Sequence, residues 1–175
     1  MFLTAYTVVH TVISLVGIVS GFVVLFGLLT AKRLDRWTSV FLATTVATSV
    51  TGFGFPVDRF LPSHAVGLIS LVVLGVAIVA RYRRRLAGTW RPIYVVAAVV
   101  ALYFNVFVGV VQAFRRVPAL TTVAPTQSEP PFQITQLTVL VLFVALGILA
   151  VIRFRPETRF QVTAAPPALA PVVAK

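Results

Sequence analysis

Hydrophobic residues run through this chain in five long stretches that contain no Asp, Glu, Lys or Arg. These stretches cover residues 1–31, 37–57, 60–80, 92–114 and 130–152. About 20 apolar residues are enough to cross the hydrocarbon core of a bilayer as a helix, and the shortest stretch has 21 residues. The pattern therefore predicts an all-α integral membrane protein with five transmembrane helices.

Charged links and prolines set the ends of the predicted helices. The five helices are expected at Leu3–Ala31, Trp37–Phe55, Pro62–Ala80, Arg91–Phe114 and Phe132–Phe154. Helices 1 to 4 should form a bundle with helix 5 alongside, and Val117–Pro131 should be a long outer loop. The transmembrane domain thus covers residues 1–155. Residues 156–175 are Pro/Ala-rich and are expected to form a disordered cytoplasmic tail.

The first four predicted helices contain a weak internal similarity. In each hairpin a histidine is followed 11 residues later by a glycine, and 26 or 27 residues later by a tryptophan. The matching residues are His10, Gly21 and Trp37, and then His64, Gly75 and Trp90. Two such hairpins would form a parallel repeat about an axis along the membrane normal. Chance similarity between apolar sequences is an equally good explanation.

The distribution of basic residues predicts the orientation of the chain. Only 11% of the 175 residues are charged, against about 25% in soluble domains, yet the net charge is +11. Alternating helices place twelve of the 15 basic residues on one side of the membrane. The positive-inside rule then puts the N-terminus outside and the C-terminus in the cytoplasm of a bacterial-type inner membrane. The expected partners are the lipid bilayer and other membrane subunits, and not nucleic acid.

Polar side chains within the predicted spans collect in the outer half of the membrane. At about 1.5 Å per residue, His10 lies roughly 33 Å from the first basic link. His64, Asn105 and Gln136 lie roughly 21–25 Å from the nearest cytoplasmic arginine. Gln112 lies further out, on the same face of helix 4. Because polar groups in lipid need partners, these side chains should face one another inside the bundle.

His10 and His64 are candidate axial ligands of one haem iron. Diagonal helices of a bundle lie roughly 12–14 Å apart, which leaves space for a macrocycle with an imidazole on each face. The glycines that would make room for a porphyrin are Gly17, Gly21, Gly67 and Gly75. This arrangement resembles the way in which b-type cytochromes hold haem between transmembrane helices. The resemblance implies one b-type haem between helices 1 and 3.

Helix packing explains the same residues more simply. The small-xxx-small spacing of Gly17 and Gly21 is more commonly a helix–helix contact than a cofactor slot. Each histidine can form a hydrogen bond inside the bundle or lie at the level of the lipid headgroups. The position of His10 near the outer edge fits this alternative.

Three amide side chains form a second candidate site. Asn105, Gln112 and Gln136 are suited to bind a carbonyl-bearing ligand such as a quinone headgroup, with Tyr103 or Phe104 stacking nearby. Amide hydrogen bonds between helices, worth about 0.6–2 kcal/mol each, are the competing explanation.

Several classes of chemistry lack the residues that they need. The chain has no cysteine, which excludes disulfides, iron–sulfur clusters and thiolate zinc sites. No carboxylate lies within a span, which argues against proton- or sodium-coupled transport. Neither a nucleophile–base pair nor a phosphate-binding loop is evident, so the sequence favours a protein that is not an enzyme.

Three functions fit these observations, and no motif identifies a named family. The first is a small membrane protein that binds a haem or a quinone-like cofactor in the outer half of the bilayer and transfers electrons. The second is a non-catalytic accessory or assembly subunit of a membrane complex. The third is a passive carrier of a small neutral solute.

Overall fold

The part of the chain described by the computed structural model, residues 2–55 and 62–155, is mostly helical. The α-helices are α1 (Phe2–Leu29), α2 (Asp35–Gly52), α3 (Pro62–Ile78), α4 (Trp90–Arg116), α5 (Pro118–Val123) and α6 (Pro130–Arg153). A π-helical turn, Val79–Arg83, continues α3. The predicted tail, residues 156–175, lies outside the described residues.

Four of these helices are long and apolar enough to cross a membrane. They contain the segments Leu3–Leu29, His64–Arg83, Trp90–Arg116 and Pro130–Arg153. These segments correspond to predicted helices 1, 3, 4 and 5, so the chain has the composition of a multi-pass membrane protein.

Helix α2 corresponds to the remaining predicted span but differs from the others. It is 18 residues long and begins at Asp35, so that it includes two charged residues as well as many hydroxyls. The hydroxyls of Thr44 and Thr51 donate to carbonyls one turn earlier, at 2.7 and 2.6 Å, which allows them to lie in an apolar helix. A fifth crossing and the orientation of the chain in the membrane stay predictions.

The helices pack as a ring with one helix beside it. Helix α1 contacts α2, α4 and α6, whereas α3 contacts α2 and α4. Helix α2 therefore lies between α1 and α3, and α6 lies against α1 and α4. Helix α4 contributes more of the core than any other helix, and its Tyr94, Val95, Ala98 and Leu102 are almost fully buried.

One end of the bundle, called here the basic end, gathers the end of α1, the start of α2, the π-helical turn, the start of α4 and the end of α6. Arg81 in the π-helical turn forms an ion pair with Asp35 of α2. Arg91 of α4 donates from Nη1 to the carbonyl of Phe154, at 2.7 Å. The described basic residues at this end are Lys32, Arg33, Arg36, Arg81, Arg83, Arg84, Arg85, Arg91, Arg153 and Arg155.

The opposite end, called here the histidine end, carries His10, His64 and the segment predicted as the outer loop. The prediction of a loop over Val117–Pro131 is wrong at its start, because Pro118–Val123 forms α5. Pro118 favours a first helical turn, and Thr121 Oγ1 donates to the carbonyl of Phe114 at 2.9 Å. Further along, Glu129 accepts hydrogen bonds from Thr126 and from the amide of Ser128.

Candidate functional site

His10 lies on α1 and contacts the last turn of α2. Its Nδ1 lies 2.8 Å from Thr51 Oγ1, and its ring meets Phe55 edge-on at 5.2 Å between centroids. Because Thr51 donates its hydroxyl proton to the carbonyl of Ala47, we infer that Nδ1–H of His10 donates to Thr51. That tautomer leaves the lone pair of a neutral imidazole on Nε2.

His64 at the start of α3 contacts Phe53, which directly follows the last turn of α2. Its ring stacks on Phe53 with 5.5 Å between centroids and an angle of 18° between the ring planes. A Cβ atom at Gly67, one turn along α3, would lie 3.3 Å from the Phe53 ring. Both imidazoles therefore pack against the end of α2, the helix that lies between α1 and α3.

Three of the four candidate glycines mark places where helices approach closely. A Cβ atom at Gly17 would lie 3.3 Å from Thr44 Oγ1 and 3.4 Å from Asn105 Nδ2. At Gly21 it would lie 2.5 Å from Leu102 Cδ1. Side chains of neighbouring helices thus fill the space at Gly17, Gly21 and Gly67, which fits helix packing better than a porphyrin slot. Gly75 is different, since nothing lies within 4 Å of its Cβ position.

The three amides lie in three different surroundings. Asn105 of α4 donates from Nδ2 to Thr45 Oγ1 of α2 at 3.0 Å. Gln136 of α6 is buried and donates from Nε2 to the carbonyl of Phe107 at 3.2 Å. The expectation that Gln112 faces the bundle interior is corrected. It lies exposed in the last turns of α4, and its Oε1 accepts from Arg116 Nε at 3.2 Å.

Other buried polar groups of the spans also pair between helices. Ser49 of α2 donates to Ser70 of α3 at 3.3 Å, and both side chains are buried. In residues 2–55 and 62–155, two buried side-chain oxygens have no hydrogen-bond partner, Thr48 Oγ1 and Gln136 Oε1. The described residues contain no group of three His, Cys, Asp or Glu side chains that is suited to hold a metal ion.

Arg81 at the basic end is a buried charge, and its burial was not predicted from the sequence. It is 6% exposed, and its guanidinium lies 5.3 Å from the ring centroid of Tyr94 and 5.8 Å from that of Tyr82. Tyr82 is held in turn by a 3.0 Å hydrogen bond with Ser39. The sequence did contain a signal for this ion pair. Arg81 directly follows a charge-free stretch, and Asp35 is the one acidic residue in the two predicted cytoplasmic links between helices.

Two apolar grooves flank α4 in the half of the bundle nearer the basic end. The α4/α6 groove measures about 380 Å³ and extends from Ile152 to Leu140 and Tyr103. The α3/α4 groove measures about 510 Å³ and extends from Thr89 to Val100. Val96 and Val100 line both grooves and form the ridge between them.

The geometry thus consists of polar pairs between helices, one buried arginine and two open apolar grooves. These features do not by themselves point to a known class of site. Comparison with protein-family models, curated proteins and solved structures finds no match to this chain.

Proposed function

We propose that this chain is a non-catalytic accessory or assembly subunit of a membrane complex, whose interior polar residues hold its own helices together. The observation that carries the proposal is the pairing of polar groups of the spans across helix contacts. Hydrogen bonds join Asn105 to Thr45, Ser49 to Ser70, and His10 to Thr51. Each such contact contributes about 0.6–2 kcal/mol in an apolar setting. These groups therefore need no cofactor to satisfy them.

The outward faces of the helices support a role beside other proteins. Only 17% of the most apolar segment of α6 is buried within the chain, against 28–44% for the other three apolar helices. Lipid or a neighbouring subunit must cover the remainder. Among the described residues, α6 lies outside the ring and makes its main contacts with α1 and α4, so it is the helix best placed to meet a partner.

Native electrophoresis and a visible spectrum together test this proposal. The tagged chain, extracted from its own membranes in a mild detergent, should migrate well above the size of a single chain in its micelle. The purified chain should be colourless in both the oxidised and the reduced state. A Soret band that disappears in His10→Ala and in His64→Ala would contradict the proposal and would support the haem hypothesis.

A quinone-like cofactor for electron transfer is a second candidate, favoured by the unpaired Oε1 of Gln136. Gln136 bonds the backbone of Phe107, whose ring lies 6.0 Å from that of Tyr103. A hydroxyl of a quinol headgroup would satisfy this buried oxygen. Under this candidate function, Gln136→Leu should weaken the binding of a short-chain quinol at least tenfold, whereas Gln112→Leu should leave it unchanged.

The haem and carrier hypotheses need more than the observed contacts. A haem held by His10 and His64 requires each ring to turn toward an iron while its contacts with α2 persist or are replaced. A passive carrier of a neutral solute is tested by uptake into proteoliposomes. Uptake above that of empty vesicles would displace the assembly role.

A further inference from the structure

We propose that the basic end binds an anionic diacyl phospholipid, with one acyl chain in each of the two grooves beside α4. The α3/α4 groove and the α4/α6 groove share Val96 and Val100 as a common ridge. The two acyl chains of one phospholipid would therefore lie on either side of the ridge formed by Val96 and Val100. This site is independent of the assembly role proposed above.

The length and lining of the grooves suit acyl chains. Thr89 to Val100 on α4 spans about 16 Å, and Ile152 to Leu140 on α6 spans about 18 Å. One leaflet of the hydrocarbon core is about 15 Å thick. Both grooves are lined almost entirely by apolar residues, and both reach the basic end, at Thr89 and at Ile152.

Basic residues adjoin the end of each groove where a phosphate would lie. Arg91 precedes Pro92, which lines the α3/α4 groove, and Arg153 follows Ile152, which lines the α4/α6 groove. Arg84 stacks on Trp90 at 4.9 Å from the ring centroid and is itself exposed. Arg91 uses one N–H on the carbonyl of Phe154 and keeps other donors for a ligand.

The balance of charge favours an anion over other occupants. Asp35 is the sole carboxylate among the described residues of the basic end, and it is already paired with Arg81. A second copy of the chain in the same membrane would bring its own arginines to the same level. An anionic headgroup would instead neutralise the arginines of the basic end. Basic pockets between transmembrane helices bind acidic lipids in this way.

Lipid retention by the purified full-length chain tests the site. The chain is mixed in neutral detergent micelles with phosphatidylglycerol, with phosphatidylcholine of the same chains, or with inorganic phosphate. Bound lipid is counted by native mass spectrometry. We expect phosphatidylglycerol to be retained at least fivefold more than phosphatidylcholine, and inorganic phosphate to leave that retention unchanged. Equal retention of the two lipids, or full competition by phosphate alone, would overturn the proposal.

Two double variants with equal changes of charge separate a local phosphate site from attraction by the net charge. Arg84→Gln with Arg153→Gln should lower the retention of phosphatidylglycerol at least fivefold. Arg33→Gln with Arg36→Gln, an equal change of charge at the start of α2, should lower it less than twofold. Equal losses in the two double variants would mean that net charge alone attracts the lipid, and would overturn the site.

The groove is tested by filling it. Gly147 lines the α4/α6 groove, and a Cβ atom there would lie 3.4 Å from Val99, an ordinary contact. Gly147→Leu should therefore fold and lower lipid retention at least threefold, whereas Ala145→Leu on an exposed position of α6 should not. Unchanged retention in Gly147→Leu, or a change of oligomeric state in its place, would contradict an acyl chain in this groove.

Discussion

From the middle of the bundle to the histidine end, neutral side chains pair one to one across helices, whereas at the basic end one buried guanidinium contacts residues of several elements. Asn105 and Thr45 represent the first kind of contact. Arg81, with Asp35 on α2 and Tyr94 on α4, represents the second. A neutral pair can be lost at the cost of one hydrogen bond, but a buried charge that loses its partner also keeps its desolvation cost. The basic end should therefore dominate the stability of the bundle.

Tyr94→Ala is expected to give the largest effect. Tyr94 is 1% exposed and packs against both Arg81 and Phe154. Truncation of a buried aromatic side chain costs about 3–5 kcal/mol. Unfolding in mixed micelles should show this loss, whereas Tyr94→Phe should cost much less because the ring remains. Equal losses in the two variants would show that the hydroxyl matters more than the packing.

Gly21→Ala should have the next largest effect and measures how closely the helices approach. The new Cβ would lie 2.5 Å from Leu102 and 2.9 Å from Phe41. Overpacking of this kind costs about 1–3 kcal/mol. Gly75→Ala is the matched control, because its Cβ position is open, and it should be neutral or slightly stabilising. If thermal unfolding moved equally in both variants, the close contact at Gly21 would be refuted.

Asp35→Asn tests whether the charge at the basic end needs its partner. The Arg81 side chain is 4% exposed, but that of Asp35 is 72% exposed, so water screens the pair. We therefore expect a loss of about 1–2 kcal/mol, well below the 3–5 kcal/mol of a fully buried pair. Arg83→Gln, an exposed neighbour, should change the free energy of unfolding by less than about 0.5 kcal/mol. A loss in Asp35→Asn no larger than that in Arg83→Gln would show that the ion pair does not stabilise the bundle.

Lowering the pH should loosen the loop after α5, and this effect is the smallest. Desolvation raises the pKa of the Glu129 carboxyl, but hydrogen bonds from Thr126 and Ser128 together outweigh it and leave the pKa below its usual value of 4.5. The stabilising contribution is therefore complete above pH 4.5 and is lost as the pH falls through the lowered pKa. The protection of the Thr126 and Ser128 amides against hydrogen exchange, measured relative to their intrinsic exchange rates at each pH, should decrease over that range. Glu129→Gln should show no such step.

The helices were largely predictable from the sequence because charge-free runs and prolines mark their ends. Four predicted spans match long apolar helices to within a few residues. Helix α2 was predicted to begin at Trp37, but it begins at Asp35, because an acidic residue in the first turn interacts favourably with the positive end of the helix dipole.

The partners of individual side chains were much less predictable, because they depend on the rotation of each helix. The seven-residue spacing of Asn105 and Gln112 indicated a shared interior face. Only Asn105 lies between helices, since Gln112 falls in the turns of α4 next to Arg116. Similarly, the position of a basic residue at the end of a span does not by itself separate an exposed side chain, such as Arg83, from a buried one, such as Arg81. The nearby acidic residue Asp35 was the additional signal that favoured Arg81.

The central claim, that polar groups within the spans serve to pair helices, is tested most directly by a double-mutant cycle. The cycle combines Asn105→Ala with Thr45→Val and measures the free energy of unfolding of all four forms. We predict a coupling energy of about 0.6–2 kcal/mol between the two side chains. A coupling energy of zero would contradict the claim and would show that these side chains exist for another purpose.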